Sequence, residues 1–333
     1  MRPDRIKSLG VALAVVVATH LALTLAPAPA RAQEIEPLAM SYLPGNAIAW
    51  DLDVAMDKGF FKAEGFDGRP VVFQNAPQSA QMLITGEVQL GTGQLDPFLL
   101  AFRSGARDIA VIAAPADRPD WFINVRPEIK SIADLKGKFV ATAALQVGET
   151  WLAAKWLGEQ GLKPQDFSFL VVGTSALKFA ALQRGSVAAA IMFQPLAMEA
   201  QLTGYSTIYR FLDGKPLPPV LYVVNRQWAA QKDRGKRLSR AIVQSHKWLL
   251  DPGNRNEAIA ILQKYTKREA AVTNAVYDLF LGKDKLYTAD AAVDIAGVET
   301  EIATMIEKGV LPPGTALMPR DYMLPRELGG LYR

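Results

Sequence analysis

The 333-residue chain has no cysteine and only two histidines. Without a thiol there is no disulfide framework, no thiolate nucleophile and no cysteine for a lipid anchor. Two histidines do not make a multi-histidine zinc site. Charge of one sign is also missing once the chain start is set aside. Arg2, Arg5 and Lys7 form a positive segment, Leu9 to Leu25 a nearly unbroken apolar run, and Ala30-Arg31-Ala32 a small-x-small cleavage pattern. That layout is a secretory signal peptide, residues 1–32, with cleavage expected after Ala32. The 17-residue run reaches the lower edge of a membrane span, but Thr19, His20 and Thr24 dilute it and the cleavage pattern follows at once, which favours a cleaved leader over a retained anchor.

The leader takes four of the 37 basic residues and one of the 33 acidic ones, leaving 33 against 32. The exported chain is therefore near neutral and lacks the basic footprint of a nucleic-acid binder. Its single histidine, His246, lies in the helical pattern LSRAIVQSHKWLL and reads as a packed or solvated helix residue. Thiol proteases and most zinc hydrolases are excluded, and no metal site or cofactor is expected. With 50% hydrophobic residues the chain is no candidate for disorder, and its length suggests about two domains.

What is present is an α/β grammar: short apolar strands alternating with helices that close on glycine. PLAMSYL reads as a strand, NAIAWDLDVAMDKG as a helix with Asn46 at its N-cap, PVVFQN as a strand, PQSAQMLITG as a helix opened by Pro77, VQLGTG as a strand, and DPFLLAFRSG as a helix with Asp96 at its N-cap. KFVATA, GETWLAAKWLGEQG, FSFLVVG, SALKFAALQRG, VAAAIMF and PLAMEAQLTG repeat the pattern. Leu83–Pro97 and Leu182–Pro195 both read Leu-x-x-Gly-x-Val, a strand, then a proline-initiated helix, with Gly-to-Pro spacings of eleven and ten. They suggest two similarly built lobes, although two unrelated α/β units could share such a grammar. Two segments cross between them, DRPDWFINVRPEIKSIADLKG and KPLPPVLYVVNRQW, helices follow, and the polar, proline-rich tail LMPRDYMLPRELGGLYR is expected on the surface.

AMDKGFFKAEGF, LITGEVQLG, SIADLKGKFVATA, LGEQGL and LQRGSVAAAIMFQPLA, in this order, resemble the periplasmic substrate-binding proteins of ABC importers for nitrate, alkanesulfonates, taurine and thiamine-type pyrimidines. The family commonly has aspartate after the Gly-x-Val valine, where this chain has Gln89 and Ala188. The resemblance implies a type II periplasmic-binding-protein fold, each lobe a mixed sheet flanked by helices. Lobe 1 would be residues 33–120 and 222–333, lobe 2 residues 121–221, with the ligand cleft between them. It also implies a monomer in the periplasm that delivers a small organic ligand to an ABC permease and ATPase complex in the inner membrane, with no catalysis and no nucleic acid. A non-transport ligand sensor and a thiamine-pyrimidine synthase-like enzyme are the alternatives, the latter disfavoured by the shortage of histidine.

In such proteins strand carboxyl ends and helix amino ends converge on the ligand, and free N–H groups there suit anions. The corresponding segments carry Tyr42, Asn46, Trp50, Gln78, Ser79, Gln94, Asp96, Gln146, Glu149, Trp151, Thr174, Ser175, Phe193 and Gln194, and none contains Lys, Arg or His. A bare small anion is usually met by a full positive charge, so an organic ligand with an apolar or aromatic body, a sulfonate or a pyrimidine, is expected over nitrate. Asp96 and Glu149 could accept from a ligand amine, or could simply suit the first turns of their helices. Trp50 and Trp151 could equally be lobe core, and Trp121 and Phe122 could wall the cleft.

Phe60 and Phe61, placed where the chain must turn, are expected to be core pegs, each stabilising by ~1.5 to 3 kcal/mol. Phe61→Ala should therefore lower the melting temperature and leave ligand affinity in the folded fraction almost unchanged. A large loss of affinity at unchanged stability would contradict this assignment.

Overall fold

The computed structural model describes residues 35–214 and 216–333; the expected leader lies outside them. Strands β1 (Glu36–Tyr42), β2 (Phe66–Val72), β3 (Leu90–Gly93), β4 (Ile109–Ala113), β5 (Phe122–Val125), β6 (Lys138–Thr142), β7 (Phe167–Val171), β8 (Ala189–Met192), β9 (Ser206–Arg210) and β10 (Leu221–Asn225) form two five-stranded sheets, ordered β2-β1-β3-β10-β4 and β7-β6-β8-β5-β9. In the first, β1 runs parallel to β2 and β3, while β10 is antiparallel to β3 and β4. The second repeats this: β6 is parallel to β7 and β8, and β5 is antiparallel to β8 and β9. The two sequence repeats fall on β3 and β8, the central strand of each sheet.

The helices are α1 (Trp50–Asp57), α2 (Phe60–Ala63), α3 (Ala76–Ile84), α4 (Leu95–Arg103), α5 (Gly148–Glu159), α6 (Ser175–Arg184), α7 (Leu196–Leu202), α8 (Arg226–Ala230), α9 (Arg234–Leu250), α10 (Arg255–Thr266), α11 (Ala270–Tyr277), α12 (Ile295–Glu307) and α13 (Pro319–Tyr322). The Phe60-Phe61 turn is the short helix α2, entered through Gly59 at φ +74°. Phe61 is buried with its ring on Gly68 of β2, where an added Cβ would come within 3.0 Å of that ring. Only glycine leaves room for the peg.

Two helix starts differ from the sequence expectation. α1 begins four residues after Asn46, whose Oδ1 instead accepts from the Ile48 amide at 3.0 Å, a local turn that competes with capping. α4 begins at Leu95 with Gln94 in the capping position, which puts the Asp96 carboxylate inside the first turn and frees it for other partners. The tail also differs. Tyr322, Met323 and Leu324 are buried, and the amides of Leu324 and Leu331 each donate at 2.7 Å to β4, on Val111 and Ile112. The tail covers an edge strand that would otherwise be open.

The sheets are joined by segments 114–121 and 211–220. Within the first of them Asp120 is fully buried, and its Oδ2 accepts from the Gln194 amide at 3.0 Å. The Gln194 carbonyl accepts from Ala47 in the other lobe, also at 3.0 Å. Burial pushes the Asp120 carboxyl up to about 7, and the Gln194 amide only partly opposes this. A carboxyl raised on folding binds its proton more tightly in the folded state, so it costs stability as pH rises from the ordinary carboxylate range to about 7. Asp120→Asn keeps an acceptor for Gln194 and removes the titration. Urea unfolding across pH should show variant and wild type alike near pH 4, with the variant gaining up to about 4 kcal/mol relative to wild type above pH 7. Parallel curves would refute it.

Candidate ligand site

Between the two sheets lies a cavity of about 160 Å³. Its walls are assembled almost entirely from the approaches to five helices. Asn46, Ile48 and Ala49 lead into α1; Phe73, Gln74 and Asn75 lead into α3; and Thr92, Gly93 and Gln94 lead into α4. From the opposite lobe, Ala143, Ala144 and Val147 lead into α5, and Gly173 and Thr174 into α6, whose first residue, Ser175, also lines the space. Phe193 follows β8, and Leu43, Pro77 and Val220 complete the lining. Among the described residues that line it none is an acid, a lysine, an arginine or a histidine.

The positive field therefore comes from main chain. Each helix start carries unpaired N–H groups and about half a positive charge, worth ~0.3 to 1 kcal/mol to a nearby anion. Asn75 and Thr174 cap α3 and α6 by accepting from Gln78 and Leu177. Ala49, Gln94 and Val147 make no side-chain cap at α1, α4 and α5.

Of the residues expected at the site, the structure brings Asn46, Gln94, Thr174, Ser175 and Phe193 together around the cavity. Gln78 and Gln146 are exposed and outside the lining, with Gln78 Oε1 accepting from the Gln74 amide. Tyr42 donates to Asp53 at 2.8 Å, and Ser79 is buried in a hydroxyl cluster with Ser41 at 2.7 Å. Trp50 is core, edge-on to Tyr277. Trp151 walls a separate groove that also includes Gly148 and Glu301. Gln194 is buried, its Oε1 accepting from the Met198 amide at 3.1 Å. Asp96 Oδ2 accepts from Gly148 at 3.2 Å. Glu149 is buried, with Oε1 accepting from Thr142 Oγ1 at 3.0 Å and the Ala143 amide at 2.7 Å. Neither acid is turned to the cavity.

Phe73, Asn75, Val147 and Val220 line the cavity without having been singled out. Asn75 was within reach: an Asn two residues before Pro77 is a good capping signal. Val220 belongs to the return crossing, and only the closed chain brings it there. A cation was missed too. Lys178, on α6, is fully buried; its Nζ lies 3.1 Å from Glu149 Oε1 and 5.4 Å from the centre of the Phe193 ring. Burial pulls its pKa down and Glu149 opposes this. The pair stands behind the aromatic wall, outside the lining. His246 is fully buried in α9, with Nε2 3.1 Å from Asp51 Oδ2 and Nδ1 2.6 Å from the Thr288 carbonyl oxygen. Among the described residues no group of three or more His, Asp or Glu is placed to hold a metal.

The architecture is shared with solved structures. The alkanesulfonate-binding protein SsuA from Xanthomonas axonopodis pv. citri, bound to MOPS, superposes with a TM-score of 0.70 at 20% identity over 88% of this chain and 99% of its own. The periplasmic nitrate-binding protein NrtA from Synechocystis PCC 6803 gives 0.69 at 16% identity, covering 86% of this chain and 84% of its own. The desulfurization enzyme DszB gives 0.64 at 17% identity, over 88% and 97%. These place the chain in the type II periplasmic-binding-protein fold. No curated protein sequence matches it. The family model described as NMT1/THI5 like matches residues 51–254, and the chain belongs to that family.

Proposed function

We propose that this protein is the exported solute-binding component of an ABC importer, trapping a compact organic ligand between its lobes for delivery to a membrane permease. The observation that carries the reading is the lining: five helix starts and several apolar faces around one small space, with no charged side chain among the described residues. Such a wall suits a head group of diffuse negative charge, or a neutral polar one, on an apolar body. A sulfonate or a pyrimidine-like ring meets that description better than nitrate, which would leave Ile48, Phe73, Val147 and Phe193 with nothing to cover. At about 160 Å³ the cavity holds the volume of roughly five waters, well below the ~300 Å³ at which pockets take drug-sized molecules. The descriptions of SsuA and NrtA as binding proteins support the same reading.

An enzyme on this fold is the competing reading, since DszB shares the architecture. Binding is favoured because the lining offers no side chain that takes up or gives a proton near neutral pH. The Ser175 hydroxyl accepts from the Phe193 amide at 3.0 Å, and the cavity holds no base to activate it.

Trp121 lies 5.6 Å from Phe193, ring centre to ring centre, so its fluorescence should respond to a guest. Titration of the mature protein with short alkanesulfonates, taurine, hydroxymethylpyrimidine, aromatic acids and nitrate should find an organic ligand with micromolar or tighter affinity, about −8 kcal/mol. If that ligand is a sulfonate, Gln94→Glu should weaken it at least about tenfold by setting a carboxylate beside the head group. Tight binding of nitrate alone would overturn the organic-ligand reading, and turnover of a supplied compound would replace the binder with an enzyme.

A further inference from the structure

Asp96 and Glu301 meet where the lobes join. Asp96, the second residue of α4, is 1% exposed, and Glu301, in the middle of α12, is 4% exposed. Asp96 Oδ2 accepts from the amide of Gly148, the first residue of α5 in the opposite lobe. Glu301 Oε1 presses on the same glycine, where an added Cβ would fall 3.1 Å from that oxygen. Asp96 Oδ1 is buried without another hydrogen-bond partner, and a hydrogen bond between it and Glu301 requires a proton on one of the two carboxyls. Burial raises both above the ordinary carboxylate range, and for Glu301 the neighbouring Asp96 charge adds to it.

Among the described residues no basic side chain forms an ion pair with either acid. α5 presents Lys155 and Glu159 to the groove that Glu301 lines, and the end of α12 presents Glu307 with the adjoining Lys308. Lys308 is paired with Glu307 at 2.8 Å, and Glu149, next to Gly148, is paired with Lys178. Among the described residues neither Asp96 nor Glu301 has a basic partner. The start of α5 favours one negative charge beside it, but two unbalanced carboxylates in one buried spot repel strongly. The groove, about 300 Å³ and lined by Gly148 and Glu301, gives water a route to the pair.

We infer that Glu301 is a positioning residue for the ligand cleft: sharing a proton with Asp96, it holds the start of α5, and with it the Val147 wall, against the first lobe. With the proton in place the lobes are latched; without it the second charge drives α5 away and the junction hydrates. This rests on the proposed trapping of a ligand between the lobes. Because the protonated pair belongs to the closed form, closure holds at low pH and is lost as pH rises through the raised range, weakening ligand binding about tenfold for each unit by which closure raises the pair's pKa.

The absence of cysteine makes a clean test. Gln81→Cys on α3 and Gln183→Cys on α6, both exposed positions in opposite lobes, can carry spin labels for distance measurement on ligand-free protein from about pH 5 to about pH 9, the span over which buried carboxyls titrate. The wild-type background should lengthen as pH rises. Glu301→Gln, which stays neutral and still donates to Asp96, should keep the short distance throughout. If Glu301→Gln fails to fold, Asp96→Asn poses the same question from the other side. Wild type and neutral variant tracking together across the range would overturn the latch. Methanesulfonate titrations on the same samples separate the two readings: distances that respond to pH without sulfonate binding leave the latch standing and count against the sulfonate assignment. Sulfonate binding with no pH response in distance or affinity removes the latch alone.

Discussion

Five helices start around one small space, and the rest of the molecule is arranged so that they can. Parallel strands deliver their carboxyl ends to the same side of a sheet, so the helices that follow β1, β2 and β3, and those that follow β6 and β7, all start at the cleft. The antiparallel strand in each sheet is the first element after a crossing: β5 follows the outward segment and β10 the return. Each lobe is therefore completed by chain arriving from the other, and both crossings run close to the cavity. No single amide matters much at ~0.3 to 1 kcal/mol per helix end. Several of them around one space add together, and a low local dielectric strengthens each.

Full charges are kept out of the lining but not away from it. Lys178 and Glu149 sit behind Phe193, Asp120 within the outward crossing, and Asp96 with Glu301 at the junction. A buried charge is tolerable when it is paired or neutralised by a proton, and costly otherwise. Each of these groups meets that condition: Glu149 by ion pairing, Asp120 by a pKa near 7, and the Asp96–Glu301 pair by sharing a proton. A wall backed in this way is stiff, because a shift in a lining residue would disturb hydrogen bonds behind it. The cavity can thus be neutral on its face and rigid underneath.

The alternation of apolar strands with glycine-closed helices was enough to read the α/β class and the paired lobes, because both are local patterns. The repeat at Leu83 and Leu182 marked equivalent central strands for the same reason. Strands β4, β5, β9 and β10 were not separable from crossing segments or loops, since elements of four or five residues are too short to show a period. At the site, Thr174, Ser175 and Gln94 were legible because a helix start announces itself. Glu149, Asp96 and Trp151 also sit in first turns, yet a first turn has two sides, and their sequence neighbours do not say which one faces the cleft. Glu301 was invisible, as it reaches the junction from α12, about 200 residues along the chain from its partner Asp96.

The near-symmetry of the lobes explains why that junction is the place to expect a switch. The helix after the first parallel strand of each sheet, β1 and β6, carries a fully buried acid at its second position, Asp51 in α1 and Glu149 in α5. Each is answered from within its own lobe by a basic side chain, His246 for Asp51 and Lys178 for Glu149. Asp96 holds the second position of α4, but among the described residues its lobe supplies only another acid, Glu301, and the compensating dipole is the start of α5 across the divide. Of the three buried acids at second helical positions, it is the one whose electrostatics are satisfied only while the lobes touch. A contact of that kind carries free energy between ligand capture and protonation, whereas the two self-contained pairs hold their lobes together whether the cleft is open or shut.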